Sequence, residues 1–120
     1  MLNHRVALYV PSTLNGNETA PAELVEKFVR QAKIKLAQLF GGFTSYKADG
    51  GWYSPTLGLV EEPVTIVQAF TDESNLKHVA AVEALAAEIA AEMGQEAVSV
   101  EVDNELRFIT AVPVTVREAA

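Results

Sequence analysis

The sequence has no cysteine, only nine lysines and arginines, and no long apolar run. The absence of cysteine excludes disulfides, thiolate nucleophiles and metal sites built on sulfur. Sixteen acidic residues give a formal charge of −7, whereas nucleic-acid-binding proteins usually carry a basic surface. No stretch approaches the ~18 apolar residues of a membrane span, and the N-terminus does not resemble a signal peptide. We therefore expect a cytoplasmic protein that binds neither nucleic acid nor membrane.

What is present is the composition of an ordinary folded domain. The chain has 120 residues, of which 49% are hydrophobic and 21% are charged. A chain of this length buries a core without help from metals or disulfides. We expect residues 1–109 to form a single domain and residues 110–120 to form a tail.

Hydrophobic periodicity predicts an alternation of strands and helices. Two segments with helical spacing are bounded by capping residues at their starts and by glycine at their ends. The predicted elements, in chain order, are a strand over Arg5–Val10, a helix from about Thr19 to Phe40, a strand over Phe43–Ala48 that resumes at Trp52–Ser54 after a turn or bulge at Asp49–Gly51, a strand over Val64–Phe70, a helix from about Thr71 to Met93, a strand over Ala97–Val102 and a hairpin strand over Leu106–Ile109.

The order βαββαβ predicts a ferredoxin-like α+β fold. Each helix has one apolar stripe, so both helices can cover the same face of the sheet. Right-handed crossovers then give an antiparallel sheet with strand order 4-1-3-2. The hairpin strand after the fourth strand adds to that edge of the sheet.

Three aromatic residues on one hairpin are the candidate binding residues. Tyr46, Trp52 and Tyr53 can stack on a ligand or anchor a partner, although Trp52 could equally cover an edge of the core. Glu62 is a further candidate, because it can brace this hairpin through backbone N–H groups. Glu61 and Glu62 could act as acid and base, but adjacent strand residues point to opposite faces and do not easily share a site.

The sheet face without helices predicts an interface between two copies of the chain. We expect Tyr9, Val67 and Ala69 to form a contiguous apolar patch there. A patch of this kind usually marks an interaction site, and two-fold symmetry is the commonest way to bury one. A homodimer is therefore the expected state.

The remaining polar residues predict no catalytic group, no metal site and no cofactor. His4 and His78 have no second histidine at ligand spacing. The glycine pair Gly41–Gly42 follows a helix instead of preceding one, so it does not form a phosphate loop.

Several segments together are similar to a family of small bacterial, plasmid and phage proteins with a ferredoxin-like pattern. The resemblance covers about residues 5–109 and implies an accessory protein of mobile elements, with no catalytic residues to transfer. The segments that carry it are Ala7–Thr13, Leu39–Thr44, Gly50–Trp52, Gly58–Glu62, Gly94–Val98 and Glu101–Leu106.

Three functions remain open on these observations. The first is a non-enzymatic, homodimeric binding protein for a host protein or a small metabolite, which the absence of a catalytic constellation favours. The second is an acidic inhibitor from a phage or plasmid that blocks a host defence protein. The third is an enzyme with a small, open active site, because the fold alone does not exclude activity.

Overall fold

A computed structural model of the protein describes residues 1–111. It contains two α-helices and seven strands within these residues, so the prediction of an α+β fold is confirmed. The elements are β1 (His4–Val10), β2 (Thr13–Leu14), β3 (Glu18–Thr19), α1 (Ala22–Phe40), β4 (Thr44–Ser54), β5 (Gly58–Thr71), a 3₁₀ helix (Glu73–His78), α2 (Val79–Met93), β6 (Ala97–Val102) and β7 (Glu105–Thr110).

The main sheet has five antiparallel strands in the order β4-β5-β1-β6-β7. The predicted order 4-1-3-2 does not match this exactly, because the sheet also contains β7; the four strands that it describes are β6-β1-β5-β4, and the predicted hairpin strand is β7 beside β6. The short strands β2 and β3 form a separate ribbon in the segment before α1, where the sequence predicted no strand. The predicted tail beyond Ala111 lies outside the described residues, and the single-domain boundary stays a prediction.

The core lies between one face of the sheet and both helices. Leu8 and Val100 point from the central strands toward Phe28 of α1 and Ile89 of α2, and all four side chains are almost completely buried. Burial of large aliphatic and aromatic side chains contributes about 1.5–3 kcal/mol each. The apolar stripes of the two helices therefore hold them on this face.

The pairing of β1 with β5 corrects the predicted interface. Tyr9 lies opposite Ile66 on the open face, whereas Leu8 lies opposite Val67 on the core face. Val67 and Ala69 are therefore buried beneath the helices, and the expectation that they lie on the open face beside Tyr9 is wrong. β5 is apolar on both faces, so the alternation of its residues did not fix which face points to the core. The association of two copies stays a prediction.

The hairpin of β4 and β5 is longer than the sequence predicted. Residues 49–51, expected to form a turn or a bulge, pair in continuous register inside β4, and the turn follows Ser54. A Cβ atom on Gly51 would lie 3.0 Å from the backbone oxygen of Val60, so the two strands approach closely there. Since β1 pairs with β5 only from Thr65 to Thr71, the rest of the hairpin projects beyond the sheet as an arm.

The start of the second helix also differs from the prediction. A 3₁₀ helix comes first, and the Asp72 carboxylate accepts a hydrogen bond from the backbone N–H of Asn75. The α-helix begins only at Val79 and ends at Gly94, which is in the left-handed region. No helix in residues 1–111 is long and apolar enough to cross a membrane.

Candidate functional site

A large cavity lies where the arm leaves the sheet. Its walls are the first half of α1, the segment from Ser12 to Ala20, and the facing residues of β4 and β5. Its volume is about 830 Å³, within the range of pockets that bind small molecules. We call this space the helix-side cavity.

The helix-side cavity exists because α1 presents small and branched side chains above the arm. Ala22, Val25 and Val29 recur at helical spacing and form one wall. Pro63 and Thr65 of β5 form part of the wall opposite. Phe28, the largest buried side chain of this helix, belongs to the core and does not line the cavity.

Charged side chains surround this apolar wall. Three carboxylates, Glu26, Glu61 and Glu62, line the cavity together with two ammonium groups, Lys33 and Lys47. The cavity therefore carries one more negative than positive charge at neutral pH. It suits a ligand with both charge signs, an excess of positive charge and an apolar part.

Glu62 is the carboxylate whose position is best defined. The Thr13 hydroxyl lies 2.7 Å from the Oε2 atom of Glu62, and Gln95 in turn donates to the Thr13 backbone oxygen. The neighbouring Ser12 hydroxyl donates to the backbone oxygen of Pro63. These contacts tie the segment before α1 to β5 beside the cavity.

A polar network covers the open face of the sheet. Arg5 lies 2.8 Å from the Glu101 carboxylate and donates through Nε to Gln68, also at 2.8 Å. The Tyr9 hydroxyl donates to the same Glu101 oxygen at 2.8 Å, and Arg5 also contacts the Tyr46 hydroxyl. The Arg5 and Tyr9 hydrogen bonds hold the pKa of Glu101 below its usual value.

The same network shifts the ionisation of Tyr9. Partial burial, together with the hydrogen bond to Glu101, raises the pKa of Tyr9 above its usual value. Tyr9 therefore stays a neutral donor at physiological pH. The network is satisfied by its own members, which indicates a structural role for it on this face.

A second, smaller cavity of about 390 Å³ lies on the open face beside this network. Tyr9, Ile66 and Ser99 line it, and so does Glu62. Glu62 is thus at the point where both cavities meet, beyond the end of β1. This position makes it the central polar residue of the candidate site.

The structure brings together two of the four predicted binding residues. Tyr46 and Glu62 line the helix-side cavity, whereas Trp52 and Tyr53 lie further out on the arm and are exposed. Sequence reasoning missed Lys33, a cavity residue on α1. The available signal was a helical face that mixes apolar and charged residues, at positions 22, 25, 26, 29 and 33.

Metal binding has no support from the described part of the chain. No group of three or more His, Cys, Asp or Glu side chains in residues 1–111 lies close enough to hold an ion.

The fold as a whole has counterparts among solved structures. No protein-family model and no curated protein matches the chain. A solved structure of a phage SAM lyase in complex with S-methyl-5′-thioadenosine matches it with a TM-score of 0.61 and 18% identity, over 92% of this chain and 94% of that one. A phage SAM lyase in the apo state matches with a TM-score of 0.63 and 19% identity, over 92% and 90% of the two chains.

These matches correct the predicted function. The chain shares the fold of a phage enzyme over nearly its whole length, so the prediction of a non-enzymatic binding protein is wrong. The matches favour the third hypothesis, an enzyme with a small, open site. They also agree with the link to phage proteins that the sequence segments implied.

Proposed function

We propose that the protein is a lyase that cleaves S-adenosylmethionine and releases S-methyl-5′-thioadenosine, and that it belongs to a phage-type group of ferredoxin-like proteins. The observation that carries this proposal is the fold match to phage SAM lyase over 92% of the chain. The helix-side cavity supports it, because its size and charges suit this substrate.

The reaction follows from comparing substrate and product. S-methyl-5′-thioadenosine keeps the methyl and adenosyl groups on sulfur, so the bond that breaks joins sulfur to the aminobutyrate chain. The electron pair of this bond goes to sulfur, and the sulfonium becomes a neutral thioether. The carbon that leaves sulfur gives up this electron pair and forms a new bond in its place. The new bond forms either when the adjacent carbon loses a proton or when the fragment's own carboxylate closes a ring. Neither route requires a co-substrate.

The charges of the cavity match those of the substrate. S-adenosylmethionine carries a sulfonium, an ammonium and a carboxylate, and so has one net positive charge at neutral pH. The cavity has an excess of one negative charge. Lys33 and Lys47 suit the carboxylate of the substrate, while Glu62 suits its ammonium group or ribose hydroxyls. The uncharged thioether product loses the sulfonium attraction, which favours its release.

The apolar wall has a different role. Positive charge at sulfur disappears during cleavage, so a carboxylate beside the sulfonium would stabilise the substrate more than the transition state. Val25 and Val29 offer a surface without charge, where this loss is not opposed. We therefore place the sulfonium against Val25 and Val29, and not beside Glu26 of the same helix, with Glu62 at one end of the substrate.

Chromatographic detection of S-methyl-5′-thioadenosine after incubation with S-adenosylmethionine tests the proposal. We expect release by the wild-type protein. Glu62→Gln should lower kcat/KM by about tenfold to a hundredfold, because the negative charge that strengthens the hydrogen bond from a charged ligand group is lost. The matched control is Glu88→Gln on the exposed side of α2, which should leave the rate unchanged. Equal rates for both variants would remove Glu62 from the site.

A further inference from the structure

We propose that Gln95 is a positioning residue, which fixes the direction of the Thr13 hydroxyl and thereby aims Glu62 into the helix-side cavity. The inference rests on the proposed function, since it gives Glu62 a substrate to contact. Gln95 does not line that cavity but lines the smaller one, and its side chain contacts Thr13, so it acts through Thr13 and not on the substrate.

The donor and acceptor chemistry of Gln95, Thr13 and Glu62 sets the direction of the hydrogen bonds that link them. Gln95 Nε2 lies 2.7 Å from the backbone oxygen of Thr13 and 3.1 Å from its hydroxyl. A carbonyl oxygen only accepts hydrogen bonds, so the Gln95 atom that faces it must be the amide nitrogen. This nitrogen also donates to the Thr13 hydroxyl, whose single hydrogen is then directed to Glu62 at 2.7 Å.

Gln95 can hold this position because it follows the end of a core helix. Gly94 ends α2 in the left-handed region, and the backbone N–H of Gln95 donates to Ala90 at 2.9 Å. The backbone N–H of Asn15 donates to the oxygen of Met93 at 2.8 Å, so the Thr13 segment is fastened to the same helix end. Met93 is fully buried, and the Thr13 segment is therefore anchored to the core.

The consequence concerns one oxygen atom of Glu62. Thr13 occupies Oε2, and no hydrogen bond to Oε1 forms within residues 1–111. A glutamate side chain loses much of its rotamer freedom when one oxygen is held. Oε1 is then presented in a fixed direction before a ligand arrives, which is the arrangement that supports fast turnover.

Substitutions at Thr13 and Gln95 test whether these hydrogen bonds affect turnover. Thr13→Val removes the hydroxyl and should lower kcat/KM by about tenfold, whereas Thr13→Ser keeps it and should stay near wild type. Gln95→Glu replaces the donor by an acceptor that competes for the Thr13 hydrogen, and should lower kcat/KM at least as far. The matched control is Gln31→Glu on the exposed face of α1. Wild-type kinetics for Gln95→Glu would overturn the inference.

A second measurement tests the coupling of Gln95 to Glu62 through Thr13 independently of activity. Urea unfolding of a double-mutant cycle between Gln95→Leu and Glu62→Ala should show non-additive shifts of the midpoint, because the two residues act through Thr13. The same cycle in the Thr13→Val background should be additive. Additive shifts in both backgrounds would overturn the inference. If the wild type releases no S-methyl-5′-thioadenosine, the proposed function fails, and this cycle still decides whether Gln95 positions Glu62.

Discussion

The two faces of the β-sheet bury their central residues with different chemistry. On the face covered by the helices, Val67 has no exposed surface and lies among aliphatic and aromatic side chains. On the open face, Ala7 is equally buried, but it lies opposite Gln68 and Glu101 in the sheet. Arg5 joins these two polar side chains above it. The stability of the helix-covered face depends on close packing of side-chain volume, whereas that of the open face depends on each hydrogen-bond donor having an acceptor.

This difference bears on where a substrate can bind. The helix-covered face supplies a rigid apolar wall, and the wall continues past the end of the packed core as Val25 and Val29. The polar groups near the end of β1 supply fixed donors and acceptors. Glu62 lies where the two surfaces meet, which is why the candidate site is at this end of the sheet.

The largest expected effect is on the helix-covered face. Phe28→Ala removes a side chain that is only 1% exposed and should lower the free energy of unfolding by about 3–5 kcal/mol. Urea denaturation measures the change. Phe108→Ala is the matched control, because Phe108 of β7 is 70% exposed and should cost far less. Equal losses from the two substitutions would mean that the core has been placed on the wrong side of the sheet.

A smaller loss is expected on the open face. Glu101→Gln removes the charge that Arg5 contacts and should lower the free energy of unfolding by about 1–3 kcal/mol at pH 7. Glu88→Gln, on the exposed side of α2, controls for the change of net charge. An unchanged stability at low salt would show that the network contributes nothing to this face.

The pH dependence of stability sharpens the same comparison. The hydrogen bonds from Arg5 and Tyr9 lower the pKa of Glu101 in the folded protein, so the stability it contributes is present above the unfolded pKa of about 4.5. That contribution is lost as the pH falls through the lower, folded pKa. We expect the stability difference between wild type and Glu101→Gln to shrink on acidification. Unfolding curves recorded at pH 7 and below pH 4 measure it, and a constant difference would contradict it.

The smallest effect is expected on the arm, which belongs to neither face of the core. Trp52 is 59% exposed, and Trp52→Ala should change the free energy of unfolding by less than about 0.5 kcal/mol. Because Trp52 is the single tryptophan of the chain, its fluorescence should already be that of a water-exposed indole in the folded protein. A blue-shifted emission, or a loss as large as that of Phe28→Ala, would place it in a packed environment.

Periodicity predicted the parts of the fold that alternate clearly. The two apolar helix stripes and the strand at Ala97–Val102 have an unambiguous buried side, and they form as expected. It could not orient β5, because Ile66 and Val67 are both apolar and a shift by one residue exchanges the faces. The glycines of β4 predicted a break in the strand, whereas Gly51 lies within it and permits the close approach of β5.

The candidate site was only partly accessible from the sequence. Tyr46 and Glu62 stood out as an aromatic and an acidic residue on one hairpin, and both line the cavity. The contacts between Gln95, Thr13 and Glu62 could not be predicted, because they join residues 49 and 82 positions apart. Spacing along a chain carries no information on such pairs, whereas the fold places them within hydrogen-bond distance.

The most direct test of the account compares S-adenosylmethionine cleavage by the wild type and by Ala22→Trp. Ala22 is an exposed residue in the first turn of α1 and lines the helix-side cavity, so an indole there fills the cavity without touching the core. We expect the wild type to release S-methyl-5′-thioadenosine and the variant, equally stable to urea, to release little or none. No release by the wild type, or the same rate from both proteins, would contradict the assignment of this cavity as the active site.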